Sequence, residues 1–398
     1  MVQMPSAQRP SSLQFFPLDY GCLSAPKNNR PPEVRSHQFV IGRFVHVEVP
    51  RYRPPDQVGW PLHAADSTML CAWGDASSLT PHMSARNQSL SPIDRASEIR
   101  SDAAALALLW RSAQIIPILD SHIGANNGRI RFLDAENVEL LLSTFESGER
   151  YFLGQSRDGG QAYFAWRTSW INEPSDEAVK FEGFRTLREV GGDLDEVELT
   201  LAMHAVGLSN WHATHPRCSR CGGETVSDLG GSVRVCVADS SQHHPRTDPA
   251  VIVLVKDGAD RILLGHQEIW PEKRFSTFAG FVEPGESFEE CVSREVFEEA
   301  GVYCNDINYL RSQAWPFPAS VMIAFEAITD HPDKAKADGV EITQIQWFSR
   351  QEMKLAIASG DLLLPPMISV ARKMIMGWYT AHDGFTADDL TGGEAWRP

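Results

Sequence analysis

Three carboxylates with helical spacing give the sequence its clearest chemical signal. Glu295, Glu298 and Glu299 stand at i, i+3 and i+4 of a helix predicted over 287–300, so they lie within one arc of it. Apolar residues continue that arc one to two turns earlier, and they are Phe288, Cys291 and Val292. Carboxylates on an inward-facing arc repel one another and lose hydration unless a cation lies among them. The pattern therefore indicates a site for an oxygen-preferring divalent cation, Mg²⁺ or Mn²⁺, rather than an ordinary solvated acidic face.

Glycines and one ion pair are placed to hold this helix and the loop before it. Gly280, Gly285 and Gly301 give the backbone conformational freedom at the two ends of the helix. Arg294 can pair with Glu286 and so pin the preceding loop to the helix. We therefore expect these residues to support the site.

The run over 280–302 resembles the Nudix box, Gly-x5-Glu-x7-Arg-Glu-U-x-Glu-Glu-x-Gly-U with U an aliphatic residue, at each of its nine fixed positions. The resemblance implies a hydrolase of nucleoside diphosphates linked to another moiety. It also implies that Glu295, Glu298 and Glu299 bind the metal ions and help to activate the attacking water, and that the backbone carbonyl of Ala279 adds a ligand. General chemistry agrees, because a bound divalent cation lowers the pKa of water and offsets charge that builds on diphosphate oxygens.

The box leaves the substrate open, but a second segment indicates one. Two prolines hold Trp315 and Phe317 on a stiff, non-helical loop, and flat aromatic faces suit stacking of a base or a nicotinamide ring. On the residues alone, a buried aromatic corner is the more common role of such a cluster. The segment nevertheless resembles the Ser-Gln-Pro-Trp-Pro-Phe-Pro-x-Ser signature of the NADH pyrophosphatase family, which has proline where this chain has Ala314. The segment consists of Ser312, Gln313, Ala314, Trp315, Pro316, Phe317, Pro318, Ala319 and Ser320.

The resemblance assigns substrate contacts to residues 313–320 and to positions outside them. It implies that Phe281, like the two rings of the loop, stacks on the substrate, while Gln313 and Ser320 supply hydrogen bonds. Ala371 matches a substrate contact at the start of the family's C-terminal helix. His244 replaces an aromatic residue that contacts substrate in the family, and imidazole stacks more weakly.

Glu341 is a further candidate ligand. It stands where the family has an additional metal-binding glutamate before a strand. On sequence alone, an exposed acid at a strand edge is an equally good interpretation of this residue. We expect Glu341 to join the carboxylates of the helix at the metal site.

Cysteines at paired spacing precede the catalytic half of the chain. Cys218 and Cys221 are separated by two residues, as in a zinc knuckle, and Cys236 follows after fourteen more. Asp239 stands where the NADH pyrophosphatase family has the fourth cysteine of a zinc ribbon. Asp239 can complete the site, one of the histidines at 243–244 can take its place, or the site binds no metal. We expect a structural Zn²⁺ held by the three thiolates and Asp239.

The elements that must position these groups fall into four parts. We expect a proline-rich, partly disordered extension over 1–88, a small α+β domain over 89–214, a zinc-ribbon-like segment over 215–248 and a Nudix hydrolase domain over 249–398. The fold class is α+β or mixed α/β, and the resemblance implies an α/β/α sandwich for the last part. The predicted elements are helices over 95–111, 195–212, 287–300 and 366–381, strands over 321–326 and 342–348, and hairpin turns at Asp158-Gly159-Gly160 and Asp257-Gly258. The sequence shows no internal repeat.

Composition limits the partners. The chain has 398 residues, with 36 basic and 52 acidic side chains and a net charge of −16. This balance disfavours a nucleic-acid backbone as the main partner, although a local basic groove of Arg217, Arg220, Arg234 and Arg246 stays open. The seven cysteines are odd in number and mostly scattered, so they do not indicate a disulfide framework. With no apolar run near ~20 residues and no secretory signal in residues 1–60, we expect a cytoplasmic protein without a membrane partner.

Together these features predict a Mg²⁺- or Mn²⁺-dependent diphosphatase that splits NADH or NAD⁺ into nicotinamide mononucleotide and AMP. The nearest alternative is removal of the NAD cap from the 5′ end of RNA by the same diphosphate hydrolysis. A non-catalytic nucleotide sensor is a third interpretation, which the complete glutamate set disfavours. The resemblance also implies a homodimer formed through the catalytic half.

Overall fold

The structure of the protein is a computed structural model, and it describes residues 91–391. The extension predicted over 1–88 lies outside the described residues. Within them, no helix is both long and apolar enough to cross a membrane. The described chain forms three parts in order, which are an N-terminal α+β domain, a small three-stranded ribbon and a larger α/β domain.

The N-terminal domain is a twisted sheet with helices packed against it. Its strands are β1 (Ile93–Asp94), β2 (Gln114–Leu119), β3 (His122–Asn126), β4 (Arg129–Ile130), β5 (Glu149–Ser156), β6 (Ala162–Thr168) and β7 (Phe184–Thr186). Its helices are α1 (Ala103–Trp110), α2 (Ala135–Leu141), α3 (Glu177–Lys180), α4 (Leu187–Val190) and α5 (Glu196–Thr214). The strand order is β1-β5-β6-β2-β3-β4, with β7 paired to β3.

Two predictions for this domain are confirmed and one is wrong in part. The turn at 158–160 joins β5 to β6 as an antiparallel hairpin, and α5 covers the helix predicted over 195–212. The helix predicted over 95–111 is instead a 3₁₀ turn at Ser97–Ile99 followed by α1. The break occurs because Asp102 has extended backbone and its carboxylate accepts hydrogen bonds from the amides at the start of α1, which makes it an N-cap.

The ribbon comprises three short antiparallel strands in the order β10-β9-β8. These are β8 (Thr225–Asp228), β9 (Val233–Cys236) and β10 (Gln242–His243). Arg234 on β9 is 7% exposed and donates hydrogen bonds to His212 of α5 and to Thr225. Arg234 therefore does not contribute to the basic groove that the sequence left open, because its buried guanidinium joins the ribbon to the N-terminal domain.

The third domain is a sheet enclosed by helices on both faces. Its strands are β11 (Asp248–Asp257), β12 (Ile262–His266), β13 (Phe278–Phe281), β14 (Asn305–Trp315), β15 (Ser320–Thr329) and β16 (Gln344–Phe348). Its helices are α6 (Phe288–Ala300), α7 (Arg350–Ser359) and α8 (Val370–Tyr379). The strand order is β14-β15-β11-β12-β16, with β13 paired to β11, and β15 runs parallel to β11.

Alternation along β11 explains why this sheet has a helix layer on each face. Val251 and Val253 belong to the core that contains Val292 of α6, whereas Ile252 and Leu254 belong to the core that contains residues of α7 and α8. Side chains of a strand alternate between faces, so a run of apolar residues must be covered twice. The predicted α/β/α sandwich is confirmed.

Some helices and strands of this domain begin or end at residues other than those predicted, and capping residues explain the helix starts. The helix predicted over 366–381 begins only at Val370, because Ser369 caps it and the preceding prolines, Pro365 and Pro366, resist helix. Helix α7 was not predicted, although Ser349 and Glu352 form a capping box, which is a sequence signal for a helix start. The strand predicted over 321–326 is longer on both sides, and the turn at Asp257-Gly258 joins β11 to β12 as expected.

The two sheets share one connectivity. In each, an antiparallel pair (β2–β3, β11–β12) is followed by a helix and a hairpin (β5–β6, β14–β15) whose second strand runs parallel to the first strand of the pair. A last strand (β7, β16) then pairs with the second strand of the first pair. The chain therefore contains a structural repeat that its residues do not reveal.

Candidate active site

Helix α6 carries the predicted carboxylates and has well-defined ends. Ser287 and Glu290 form a capping box at its start, and Gly301 ends it with a φ of 69°, in the left-handed region that favours glycine. Cys291 and Val292 are fully buried on the inward face. The helix thus presents its glutamates at a fixed rotation relative to the sheet.

The glutamates are graded in exposure from solvent to core. The side chain of Glu298 is 57% exposed and that of Glu295 is 14% exposed, while Glu299 is only 4% exposed. Glu299 accepts a hydrogen bond of 3.3 Å from the backbone N–H of Ala279 on β13. Burial, followed by the nearby charges of Glu341 and Glu295, raises the pKa of Glu299 to about 8. The structure therefore brings Glu295, Glu299 and Glu341 together beside Ala279, whereas the side chain of Glu298 lies toward solvent against Arg294.

Glu341 reaches this cluster from the loop before β16. Its Oε1 accepts a hydrogen bond of 3.2 Å from Gln267, the residue that follows β12. Asp338 orders the same loop, because its carboxylate accepts from the amides of Val340, Glu341 and Ile342. Glu341 is thus held by a structured turn next to the carboxylates of α6.

Arg294 ties the loop before α6 to the helix, as the sequence predicts. Its Nε and Nη2 lie 2.5 and 2.9 Å from the two carboxylate oxygens of Glu286, which lowers the pKa of that carboxyl to about 2. Nη2 also donates to the carbonyl of Phe281, and Nη1 donates to Glu295 and Glu298 at 2.8 and 3.0 Å. One guanidinium therefore fixes the loop, the end of β13 and two of the glutamates.

These residues fit a hard divalent cation. A carboxylate such as Glu299, buried among other carboxylates, is stable in its charged form only with positive charge beside it. Oxygen ligands of this kind are those that Mg²⁺ and Mn²⁺ prefer. The candidate ligands for such an ion are Glu295, Glu298, Glu299 and Glu341, with the backbone of Ala279.

The predicted stacking segment is the tip of the β14–β15 hairpin, where Trp315 pairs with Ser320. The rings of Trp315 and Phe317 are 4.9 Å apart, edge to face, and pack against the core of the N-terminal domain. The guanidinium of Arg188 on α4 lies 4.3 Å from the Phe317 ring centroid and 5.7 Å from that of Trp315. Asn210 on α5 donates to the carbonyls of Pro316 and Pro318.

Arg188 and Asn210 are residues that sequence reasoning missed. They lie on helices more than 100 residues before the hairpin, and no local pattern marks either of them. Phe281, in contrast, keeps its ring 58% exposed.

Strand register places Phe281 between the carboxylates and the hairpin tip. Ala279 pairs with Ile252 and Phe281 with Ala250, while Ser320 pairs with Asp248 on the other side of β11. With about 3.3 Å per strand residue, the tip lies about 13 Å along the sheet from Ala279. The carboxylate cluster, the exposed Phe281 residue and the aromatic tip therefore follow one another along the direction of β11, with the tip on the opposite side of that strand.

The remaining predicted contacts have other partners in the structure. Gln313 donates to the carbonyl of Ile368 and accepts from the amide of Val370, so it anchors the start of α8. Ala371 is 1% exposed, within the core on the α8 side of the sheet. His244 is exposed beyond β10, and Ala319 accepts a hydrogen bond from the amide of Asp248.

The predicted zinc ligands form one cluster in the ribbon. The sulfurs of Cys218, Cys221 and Cys236 and a carboxylate oxygen of Asp239 all lie within 4.8 Å of one another. Such spacing fits tetrahedral Zn²⁺, whose bonds to sulfur are about 2.3 Å. A hydrogen bond with Ser241 lowers the pKa of Cys218 to about 6, whereas burial raises the pKa of Cys236 to about 11.

Comparisons with known proteins agree with this organisation. Residues 246–366 match the NUDIX domain, residues 105–211 match the NADH pyrophosphatase-like rudimentary NUDIX domain, and residues 213–244 match the NADH pyrophosphatase zinc ribbon domain. The chain is 38% identical over 298 residues to proteins named NAD-capped RNA hydrolase NudC from Mycobacterium bovis and Mycobacterium tuberculosis, covering 72% of this chain and 92% of each relative. It is 37% identical over 260 residues to the mouse protein named NAD(P)H pyrophosphatase NUDT13, mitochondrial, covering 62% of this chain and 73% of that protein. The chain therefore belongs to the NADH pyrophosphatase family of the Nudix hydrolases.

Proposed function

We propose that the protein hydrolyses the diphosphate bond of NADH or NAD⁺ to release nicotinamide mononucleotide and AMP. The observation that carries this proposal is the placement of the buried Glu299 against Ala279, beside Glu295 and Glu341. The names of the mycobacterial and mouse relatives support the choice of a dinucleotide substrate.

Each part of the site has a task in this reaction. A divalent cation, when bound, supplies positive charge to the diphosphate oxygens and lowers the pKa of the attacking water. Arg294 holds the Glu286 loop and two glutamates in register, so the carboxylates do not need to reorganise during the reaction. The exposed Phe281 ring offers a stacking surface next to the carboxylates. Water attacks one phosphorus, and one nucleotide leaves as a phosphate monoester.

The aromatic hairpin tip is proposed to bind the far end of the same substrate. It lies along the sheet beyond Phe281, so an extended dinucleotide with its diphosphate at Glu299 reaches toward Trp315 and Phe317. The cationic group of Arg188 adds positive charge beside those rings. Gln313 is proposed to position the tip relative to α8.

Removal of an NAD cap from RNA is the second candidate function. The printed names of the mycobacterial relatives favour it, and its chemistry at the diphosphate is the same. The net charge of −16 favours the free dinucleotide. Turnover of NADH and of NAD-capped RNA in one buffer decides between them, since the preferred substrate will have the larger kcat/KM.

The ribbon is proposed to bind structural Zn²⁺ through Cys218, Cys221, Cys236 and Asp239. The compact cluster supports this ligand set. His243 instead contacts Ser219 and Ser241. Zinc in this position stabilises a segment of few residues with a small core.

We further propose that the protein forms a homodimer through its catalytic domain. We also propose that the chain is divided into domains at 89–214, 215–248 and 249–398. Strand β14 supports the dimer, because it is an eleven-residue strand at the edge of the sheet with Tyr309 and Leu310 exposed. The end of α5 at Thr214 and the start of β11 agree with the division. A cytoplasmic location stays a prediction.

The test of the catalytic proposal is Glu299→Gln, with Glu289→Gln as the matched control on the same helix. We expect Glu299→Gln to lower kcat on NADH by at least a hundredfold, and Glu289→Gln to retain activity. Burial already raises the pKa of Glu299 to about 8, so its carboxyl is mostly neutral without metal, and glutamine is a neutral group of the same size. We therefore expect Glu299→Gln to unfold in EDTA at the wild-type temperature or above. Retained turnover in a folded Glu299→Gln would overturn the metal assignment.

A further inference from the structure

The N-terminal domain contains a cleft at the corner that holds the catalytic carboxylates in its sister domain. In the catalytic domain, the amide of Thr343, just before β16, donates to the carbonyl of His266, the last residue of β12. In the N-terminal domain, β3 and the residue just before β7 are joined at the same end of the strand pair by a bond of opposite direction, from the amide of Ala125 to the carbonyl of Gly183. A cleft of about 490 Å³ opens beside this bond. Volumes of this size are usual for small-molecule sites.

The charge at this corner is opposite in the two domains. The catalytic corner carries glutamates and so needs a cation, whereas the cleft is lined by Arg131 and Arg185. Neither guanidinium forms an ion pair within residues 91–391. Glu182 also lines the cleft, which leaves its lining with one net positive charge.

The backbone positions these arginines. Gly183 has a φ of 73°, and a side-chain carbon there would lie 3.3 Å from Nη1 of Arg131, so this guanidinium lies directly over the glycine. Arg185 donates from Nη1 to the carbonyl of Phe184 at 2.6 Å. Its Nε and Nη2 donors have no partner within the described part of the chain. Donors held in this way suit the oxygens of a phosphate group.

Aromatic rings form another wall of the same cleft. Trp170 and Phe145 line it, with their ring centroids 4.4 Å apart. The Trp170 ring is partly exposed, while its Nε1–H is buried and has no acceptor within residues 91–391. A buried indole N–H normally has a hydrogen-bond partner. The partly exposed face of this ring suits stacking on a flat heterocycle.

We propose that this cleft is a second, metal-independent binding site for the phosphate and base of a nucleotide. The arginines supply directly the positive charge that a cation supplies in the catalytic domain. Trp170 receives the base. Binding at this site does not depend on hydrolysis, so it can be tested separately from the proposed hydrolase activity.

The test is calorimetric titration of the full chain with AMP in buffer free of Mg²⁺ and Mn²⁺, which excludes binding that depends on these cations at the catalytic carboxylates and leaves the proposed structural zinc in place. The variants are Arg131→Gln and the double variant Arg131→Gln/Arg185→Gln. Arg111→Gln is the matched control, because it removes one exposed charge at the end of α1, away from the cleft. Thermal unfolding verifies that each variant is folded.

We expect wild type and Arg111→Gln to bind AMP equally, and the double variant to bind at least tenfold more weakly. A five-nucleotide RNA with a 5′ phosphate tests the source of the nucleotide. Tighter binding of the RNA, with the same dependence on both arginines, assigns the site to an RNA chain, and equal or weaker binding assigns it to free nucleotides. Absence of binding by wild type at millimolar AMP and RNA, or equal affinities in wild type and the double variant, would overturn the proposal.

Discussion

A methyl group at Gly280 would lie 1.8 Å from the carboxyl carbon of Glu295. Helix α6 and β13 approach closely at this point, so a side chain at position 280 would displace the Glu295 carboxylate from its present position. The first glycine of the box is thus explained by the space that Glu295 occupies.

Gly280→Ala is therefore expected to displace the Glu295 carboxylate and lower kcat on NADH at least tenfold. The matched control is Gly258→Ala, since a side-chain carbon at Gly258 has no neighbour within 4 Å. Steady-state kinetics with Mn²⁺ and thermal unfolding of both variants provide the measurement. A wild-type kcat in Gly280→Ala would show that catalysis does not require the Glu295 carboxylate at its present position.

Arg294→Lys is expected to destabilise the protein by about 1–3 kcal/mol, because lysine cannot form the two parallel bonds to Glu286. The loop before α6 then loses its link to the helix, so kcat falls as well. Urea unfolding followed by circular dichroism measures the first effect. An unchanged unfolding midpoint would mean that the loop is held by other contacts.

The imidazole of His212 makes stability depend on pH. Its Nε2–H donates to the carbonyl of Gly231, its Nδ1 accepts from Arg234, and its ring stacks on Tyr151 at 4.3 Å. Burial lowers the pKa of His212, with Arg234 adding to the effect and the charge of Glu149 opposing it. The folded state thus binds its proton less readily than the unfolded state does.

Stability from His212 is consequently present above pH 6.5 and lost as the pH falls from there toward the lower folded pKa. The slope from one such proton is at most about 1.4 kcal/mol per pH unit. Urea unfolding at pH 7.5, 6.5 and 5.5 measures it, and His212→Gln is expected to flatten the profile in this range. A profile that is equally steep in the variant would assign the pH dependence to other groups.

Zinc content follows from the ligand cluster. We expect one Zn²⁺ per chain in the wild type and none in Cys221→Ser, with Asp239→Ala losing zinc to a chelator faster than wild type. Asp239→Cys supplies a fourth thiolate and is expected to retain zinc most strongly. Elemental analysis after chelator competition provides the measurement. Equal retention by Asp239→Ala and wild type would exclude Asp239 as a ligand.

The catalytic helix was predictable because its chemistry is local. Ser287, Gly301 and the spacing of Glu295, Glu298 and Glu299 determine where the helix begins, ends and faces. The same local logic, applied to residues 95–111, overlooked Asp102, whose side chain caps a shorter helix. Local capping and spacing signals are therefore sufficient to predict where these helices begin and end, provided that every capping residue is considered.

The surroundings of the aromatic tip were not predictable. Arg188 and Asn210 meet the hairpin only because two domains pack together, and no spacing in the chain encodes that packing. The shared strand connectivity of the two sheets could not be predicted from the sequence either. Many different sequences satisfy the pattern of burial that one fold requires.

The central claim is tested most directly by incubating the purified full chain with NADH and Mn²⁺ and quantifying the products by chromatography. We expect AMP and reduced nicotinamide mononucleotide to form in equal amounts, and to disappear when EDTA is added or when Glu299→Gln is used. Intact NADH after incubation at millimolar substrate, or products other than these two nucleotides, would contradict the claim.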